Sequence, residues 1–567
     1  MQRLLLNAII TATLIISSCS AEQRVEKKNP KTKTAKGGKV YGGKISFYTS
    51  EQVNTFFPLS SISMYNQRAI APVFETLLIF DEETQSLLGN LATSFEVSDD
   101  QETIDFTIRK DVYFHNDPCF NGKREQLTAK DIKFSLDLAC SPHKLNQHSH
   151  LFLGKIEGAM KFYEDFDGVM SKGVSGIQVL SDFSLRIKLN RSSPTFLKIL
   201  THQNIAVFSK KAFLFYQDEI EKHPVGTGPF KLKSYNNDGL VYVKNIHYWR
   251  KDEFKNRLPF LNKIHVLFNK QNNEFDSFTS QKTDLLLSVP SNEINSLFGT
   301  LDEAKKGKNI LHKLQYRKGV KVNYIAFDCS KPPFNDVNLR RAIYHGIDRN
   351  RICEETLLGE GTPAENGLLP QGYYKETKEN WMPAFNLDLA RNYMNKSNYS
   401  GEVLDFFANY SSGTLDEDWC HEIITQLKNN IGLHLNLIKG SYKEKVGAID
   451  RGDVSIWKGG YIPDYPDAES FLNSYYSKNI GVNTLWSRGK YKSSDFDKAF
   501  ESSSLPSSDS LRNIVFNSCV KTLKEDAPIV PVYFENLLVV YNLNLRDARI
   551  NSFGIIDFSK AYYKRIK

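Results

Sequence analysis

Residues 403–438 read VLDFFANYSSGTLDEDWCHEIITQLKNNIGLHLNLI. Val403 to Phe407 and Leu433 to Ile438 are short apolar runs of strand character, and the segment between them sets Ile424, Leu427 and Ile431 on one helical face, with Gly432 at the helix end. Strand, helix, strand in that order needs a crossover, so the strands pair in parallel within a sheet that the helix covers. The same logic extends upstream. Asp336 caps a helix whose Leu339, Ala342, Ile343, Gly346 and Ile347 form a single buried stripe. Thr128 with Asp131 opens another, with Ile132, Leu136 and Ala139 inward. Ile104, Phe106 and Ile108 alternate as a half-buried strand does, and Lys231 to Tyr235 with Leu240 to Val243 flank Asn236-Asn237-Asp238-Gly239 as a hairpin does. The chain is α/β with antiparallel additions and no internal repeat.

At 567 residues the chain is too long for one core and divides into roughly two to four domains. Charged residues make up 24% and hydrophobic ones 41%, the balance of a soluble globular body, and nothing after the first twenty residues is apolar enough to span a bilayer. The N-terminus differs. Arg3 precedes an apolar run from Leu4 to Ile16, and Ile16-Ser17-Ser18-Cys19 follows at once. This resembles the lipobox of bacterial lipoproteins, which implies a signal peptide over 1–18 and a lipid on Cys19. Residues 19–36 are Lys-rich and poor in apolar groups, the composition of a flexible tether. The formal charge of +8 is scattered rather than gathered in a stripe, which argues against nucleic acid as a partner. Besides Cys19 there are six cysteines; six allow 15 full pairings, and Cys119 with Cys140 is the candidate bridge.

Catalytic signatures are missing from the sequence. His421-Glu422 opens like a zinc-protease helix, but Thr425 stands where the second histidine belongs. Gly226-Thr227-Gly228-Pro229 lacks the Lys-Ser/Thr of a phosphate loop and reads as a tight turn before a strand. His143, His148 and His150 share a polar stretch and have the chemistry of metal ligands, yet no carboxylate or cysteine accompanies them at close spacing, and loop histidines are usually solvated. The carboxylate pairs Asp416 with Asp418 and Asp464 with Asp467 suit turns and helix caps as well as acid and base work. No metal, no cofactor and no enzymatic activity are expected.

Six segments, taken in order, resemble the extracytoplasmic solute-binding proteins of peptide and nickel ABC importers, family 5: Phe74-Glu75-Thr76-Leu77-Leu78; Leu91 to Asp100; Phe106 to Val112 continuing to Leu127 to Ile132; Gly226-Thr227-Gly228-Pro229-Phe230 with Asn245 to Trp249; Pro333 to Arg349; and Asp464-Tyr465-Pro466-Asp467. The chain departs from the pattern at Asn116 to Phe120 and at Ala468. The resemblance implies an α/β, two-lobed, periplasmic-binding-protein-like fold of class II, in its large form with an extra subdomain, mixed sheets and a two-strand hinge. Carried over, the base lobe comprises 37–76, 222–315 and 525–567, the extra subdomain 77–221 and the second lobe 316–524, with crossovers near Tyr316 to Phe327 and Ala527 to Phe534.

It further implies a monomeric receptor that captures a small peptide between its lobes and delivers it to the permease of an ABC transporter, held outside the cytoplasm on a membrane by its lipid. Asp464 would hold the ligand's α-ammonium, because an enclosed charge must be paired. Lys458 would meet the ligand's carboxylate, Trp457, Tyr461 and Tyr465 would pack on ligand side chains, and Met64 would pair the ligand backbone as an added strand. Two alternatives remain open: the same fold with a metal chelate, haem, opine or oligosaccharide as ligand, and a surface hydrolase.

Overall fold

The computed structural model describes residues 34–564 apart from 50–51, 169–171, 269–273, most of 288–311, 374–383, 411–413, 481–486 and 504–508. Cys19 and the leader lie outside the described residues.

Two strands organise the molecule. His312–Phe327 and Ile529–Asn542 pair antiparallel from His312 opposite Asn542 to Ala326 opposite Ile529. Both are far longer than an average strand. The register shifts between Lys318 and Val322. Gly319 lies in this irregularity, where a Cβ would sit 2.3 Å from the carbonyl oxygen of Glu535, so no other residue fits. At one end these strands join a core that runs from Ile45 to Leu285 and takes in Val539 to Ala561. At the other they join two clusters built from residues between Val322 and Phe534. Two lobes share one ribbon.

The second lobe holds the α/β unit read from the sequence. Leu404–Ala408 pairs in parallel with Leu435–Lys439 and with Ile456–Tyr461, and the last strand pairs antiparallel with His312–Phe327. Helix Leu415–Ile431 crosses between them and ends at Gly432 with φ of +70°. Helix Val337–Gly346 is capped by Asp336, whose side chain accepts from the Asn338 amide.

In the first lobe, Lys44–Thr49 pairs in parallel with Lys263–Phe268, which continues antiparallel into the hairpin of Phe230–Asn236 and Gly239–Lys244. A second four-stranded sheet, from Ala92–Val97 to Ser184–Lys188, carries the capping-box helix Ala129–Ala139. Both sheets contribute to one continuous buried cluster, so no break in packing separates them.

Three sequence motifs meet at Glu75. Its carboxylate accepts from Thr227 Oγ1 at 2.8 Å, Tyr248 Oη at 2.9 Å and Trp249 Nε1 at 3.0 Å, with Arg250 3.9 Å away. Gly226 and Gly228 press on residues 72–74 so closely that a Cβ at Gly226 would lie 2.0 Å from the Val73 carbonyl oxygen. The tight turn is there to let backbone meet backbone.

The proposed Cys119–Cys140 bridge is corrected: all six described cysteines are free. Cys140 is buried at the end of its helix, whereas Cys119 sits on a separate half-buried turn capped by Asp117.

Replacing Glu75 by Ala strands three donors, two of them on buried residues and the third on the part-buried Trp249. The expected loss is at least about 3 kcal/mol of unfolding free energy in urea titration, with a smaller loss for Glu75→Gln, which keeps an acceptor.

Candidate ligand-binding site

Strand Ile456–Tyr461 leaves the second-lobe sheet and runs into a turn, residues 462–467, in which Pro463 and Pro466 fix φ and remove amide donors. Helix Ala468–Leu472 follows, with Asp467 Oδ1 accepting from the Glu469 amide as its cap. Within the turn, the Asp464 amide donates to Ser470 Oγ at 2.9 Å, and the Tyr461 hydroxyl lies 3.2 Å from Asp464 Oδ2 and 3.0 Å from the Ser470 carbonyl. The turn is pushed into the other lobe. Tyr465 belongs to the first-lobe core.

Facing Asp464 are three first-lobe imidazoles. His150 Nε2 is 3.8 Å from Asp464 Oδ2, and the His148 ring is centred 6.3 Å from that of His150 and 6.0 Å from that of His202. His148 Nε2 contacts the Ser61 carbonyl at 2.8 Å. The Nδ1 atoms of His148 and His202 are buried without a hydrogen-bond partner among the described residues. Burial alone would push the Asp464 carboxyl up, but the hydrogen bond and charge of His150, with smaller contributions from His202 and His148, more than offset it and hold the group down at about 2. Burial also drives His148 down to about 3, helped by His202, and lowers His202. The site thus favours the charged form of the Asp464 carboxylate, while burial disfavours protonation of the His148 and His202 imidazoles that face it. Beside it opens a cavity of about 220 Å³ whose walls include Asp464 and Pro466 from the second lobe and Phe74, His202, Arg250 and Phe558 from the first.

The other residues singled out in the sequence are placed differently. Tyr461 stays beside Asp464, its ring edge-on to Phe471. Tyr465 is buried, with its hydroxyl 3.2 Å from Glu469 Oε1. Trp457 is a correction: it is fully buried in the second-lobe core and has no surface to give a ligand, because its central strand is covered on both faces, with Ile456 in one buried cluster and Trp457 in the other. Lys458 is also spoken for. It is buried, with Nζ 2.8 Å from Asp416 Oδ2, so an internal carboxylate stands where a ligand's was expected. Beneath it, burial and the Lys458 charge bring Lys445 down to about 7. Met64 is a second correction: it opens helix Met64–Ile70, capped by Ser63, and a helical residue presents no strand edge. The extended residues are its neighbours, Ser61 and Ser63, which flank the exposed Ile62.

Of the histidine stretch, His148 and His150 reach the site, while His143 packs against Phe213. His202 joins them from some fifty positions away, and nothing local in the sequence marks it. Among the described residues no group of three His, Cys, Asp or Glu is arranged to hold a metal ion, and no helix is long and apolar enough to cross a membrane.

A two-lobed α/β body on a two-strand ribbon, with a part-exposed carboxylate at the seam, defines the periplasmic-binding-protein class. Residues 86–483 match the model for bacterial extracellular solute-binding proteins, family 5, and the chain belongs to that family. Heme-binding protein A of Haemophilus influenzae is 24% identical over 544 residues, covering 92% of each chain. The oligopeptide-binding protein OppA of Bacillus subtilis is 24% identical over 515 residues, covering 87% of this chain and 88% of its own. Among solved structures, DppA of Helicobacter pylori in complex with the peptide STSA superposes with a TM-score of 0.76 at 20% identity, over 93% of this chain and 99% of that one.

His148 and His115, the latter buried against the Gly228 carbonyl and lowered to about 4 chiefly by burial, are neutral in the folded chain well below 6.5. The unfolded chain protonates them first, so stability falls as pH drops from about 6.5 towards about 4, by about 1.4 kcal/mol per pH unit for each histidine. Asp464, with its lowered value, adds to the loss only below its unfolded pKa near 4. Urea titrations at a series of pH values should show this slope, reduced in His148→Gln.

Proposed function

We propose that the chain is the receptor of an ABC importer, tethered outside the cytoplasm by a lipid on Cys19, and that it captures short peptides at the seam between its lobes for delivery to the permease. The base lobe is assigned to 37–76, 222–315 and 525–567, the extra subdomain to 77–221 and the second lobe to 316–524, and the receptor works as a monomer. The observation that carries this reading is Asp464: an ionised carboxylate on a cavity wall, on the second-lobe turn that enters the first lobe. An α-ammonium brings three N–H donors and one positive charge, and the charge-assisted bonds it makes with such a carboxylate are about twice as strong as neutral ones. Tyr461 steadies the acceptor, and across the seam, in the first lobe, the extended backbone around Ile62 is tied to His148 through the Ser61 carbonyl. A ligand that touches both lobes gains contacts on closure and shifts the population towards the closed state, the form a permease can read. Relatives named for oligopeptides and di- or tripeptides support the ligand class.

The three imidazoles around Asp464 favour a second reading, in which the ligand is haem or another metal chelate held by neutral imidazole nitrogens; one relative is named for haem. Native mass spectrometry of the purified chain separates the two: a co-purified peptide mass supports the first reading, a porphyrin or metal-chelate mass the second.

Saturating short peptide should raise the thermal midpoint through mass action, by the equivalent of about 2.7 kcal/mol at a hundredfold excess over Kd. Asp464→Ala should lose most of that gain in the same assay, the shift being read from each protein's own apo midpoint, which the variant lowers by removing a stabilised carboxylate.

A further inference from the structure

Three residues of the first lobe that do not line the cavity grip the Asp464 turn from outside. Lys198 Nζ, on the short helix Phe196–Ile199, lies 2.6 Å from Asp467 Oδ2. Lys155 Nζ lies 2.8 Å from Glu469 Oε1, and Thr195 Oγ1 donates to Glu469 Oε2 at 3.0 Å. Behind the two carboxylates, on the second-lobe side, stands Arg512 of helix Asp509–Asp526, with Nη2 2.8 Å from Asp467 Oδ1 and 3.8 Å from Glu469 Oε2. The side chains of Asp467 and Glu469 are 5% and 17% exposed, those of Lys198 and Lys155 26% and 23%. Two acidic groups are thus sandwiched between cations from both lobes.

We propose that Lys155, Thr195 and Lys198 are positioning residues, forming with Asp467 and Glu469 a clasp between the lobes that closes without ligand and holds the Asp464 turn in its binding pose. The proposal rests on the receptor reading given above. The arrangement is built to release as well as hold. When the lobes part, Arg512 stays with Asp467 and near Glu469, so neither carboxylate is left as an uncompensated buried charge. The lysines have long stems and part-exposed heads, which re-enter water at modest cost. Asp464 stands three residues before Asp467 and five before Glu469, and Glu469 is also touched by the Tyr465 hydroxyl. A ligand bound at Asp464 and a lysine bound at Asp467 therefore fix the same short segment, and each lowers the ordering cost of the other. Two ion pairs that meet solvent at their edges also make the clasp sensitive to ionic strength.

The test compares wild type with Lys155→Met/Lys198→Met and with the charge-keeping Lys155→Arg/Lys198→Arg. Small-angle scattering of the ligand-free proteins is recorded from about 0.05 M to about 1 M NaCl, spanning Debye lengths that leave and remove surface attraction. Wild type and the Arg pair should be compact at low salt and expand at high salt; the Met pair should be expanded throughout. Superimposable low-salt curves for wild type and the Met pair overturn the clasp. In parallel, calorimetric titration with trialanine should show affinity about tenfold weaker in the Met pair, restored in the Arg pair, with circular-dichroism melting midpoints unchanged. Equal trialanine affinities in wild type and the Met pair also overturn it. Failure of wild type to take up trialanine or a broad peptide pool counts against the peptide reading, and the scattering arm still judges the clasp.

Discussion

Everything in this molecule is arranged about two neighbouring strands that belong to both lobes at once. His312–Phe327 and Ile529–Asn542 bury their ends in different cores, and their mutual hydrogen bonds persist across the gap between them. A ribbon of two strands is stiff along its length and compliant to bending and twist, and the shifted register around Gly319 marks a local bend in it. The site forms where the lobes meet beside the ribbon. Asp464 comes from one side and the imidazoles from the other, so the ligand's environment exists only when the geometry of the ribbon brings them together.

The polar groups at the seam divide into those that are settled and those that are waiting. Glu75 is settled: buried, saturated by Thr227, Tyr248 and Trp249, it ties three separate segments of the first lobe into one support. Lys458 is settled against Asp416 in the same way. Asp464, by contrast, is part-exposed on the cavity wall, and its oxygens meet one neutral hydroxyl and the His150 imidazole at 3.8 Å, which leaves acceptor capacity for a ligand. That contrast, more than burial, distinguishes a structural carboxylate from a receptive one.

How much of this could be read beforehand depends on whether the information is local. The crossover unit at 403–438, the capped helices at Thr128 and Asp336 and the hairpin at Asn236–Gly239 follow from periodicity, caps and turn residues within a few positions, and the structure has them all. Family motifs were legible as strings, but their reason was not: Glu75, Thr227 and Trp249 lie far apart in sequence, and only the fold shows that one carboxylate serves the other two. The errors have the same origin. Trp457 and Lys458 sit next to each other on a central strand, where direction and burial decide whether a side chain meets ligand or core. Met64 is placed against the ligand backbone by resemblance alone, and nothing in that resemblance marks the short helix it opens or its cap, Ser63. His202 carries no local mark at all, and its place among the imidazoles is a purely tertiary fact.

The six unbridged cysteines have a consequence for how this chain must be made. Burial pushes the thiols of Cys353, Cys420 and Cys519 up to about 12, so in the finished fold almost none is present as the reactive thiolate. The unfolded polypeptide has no such protection, and its seven thiols would meet any oxidant at their ordinary reactivity. Compaction and oxidation are therefore in a race from the moment of synthesis or export, and only chains that shield their sulfur atoms first escape random cross-linking.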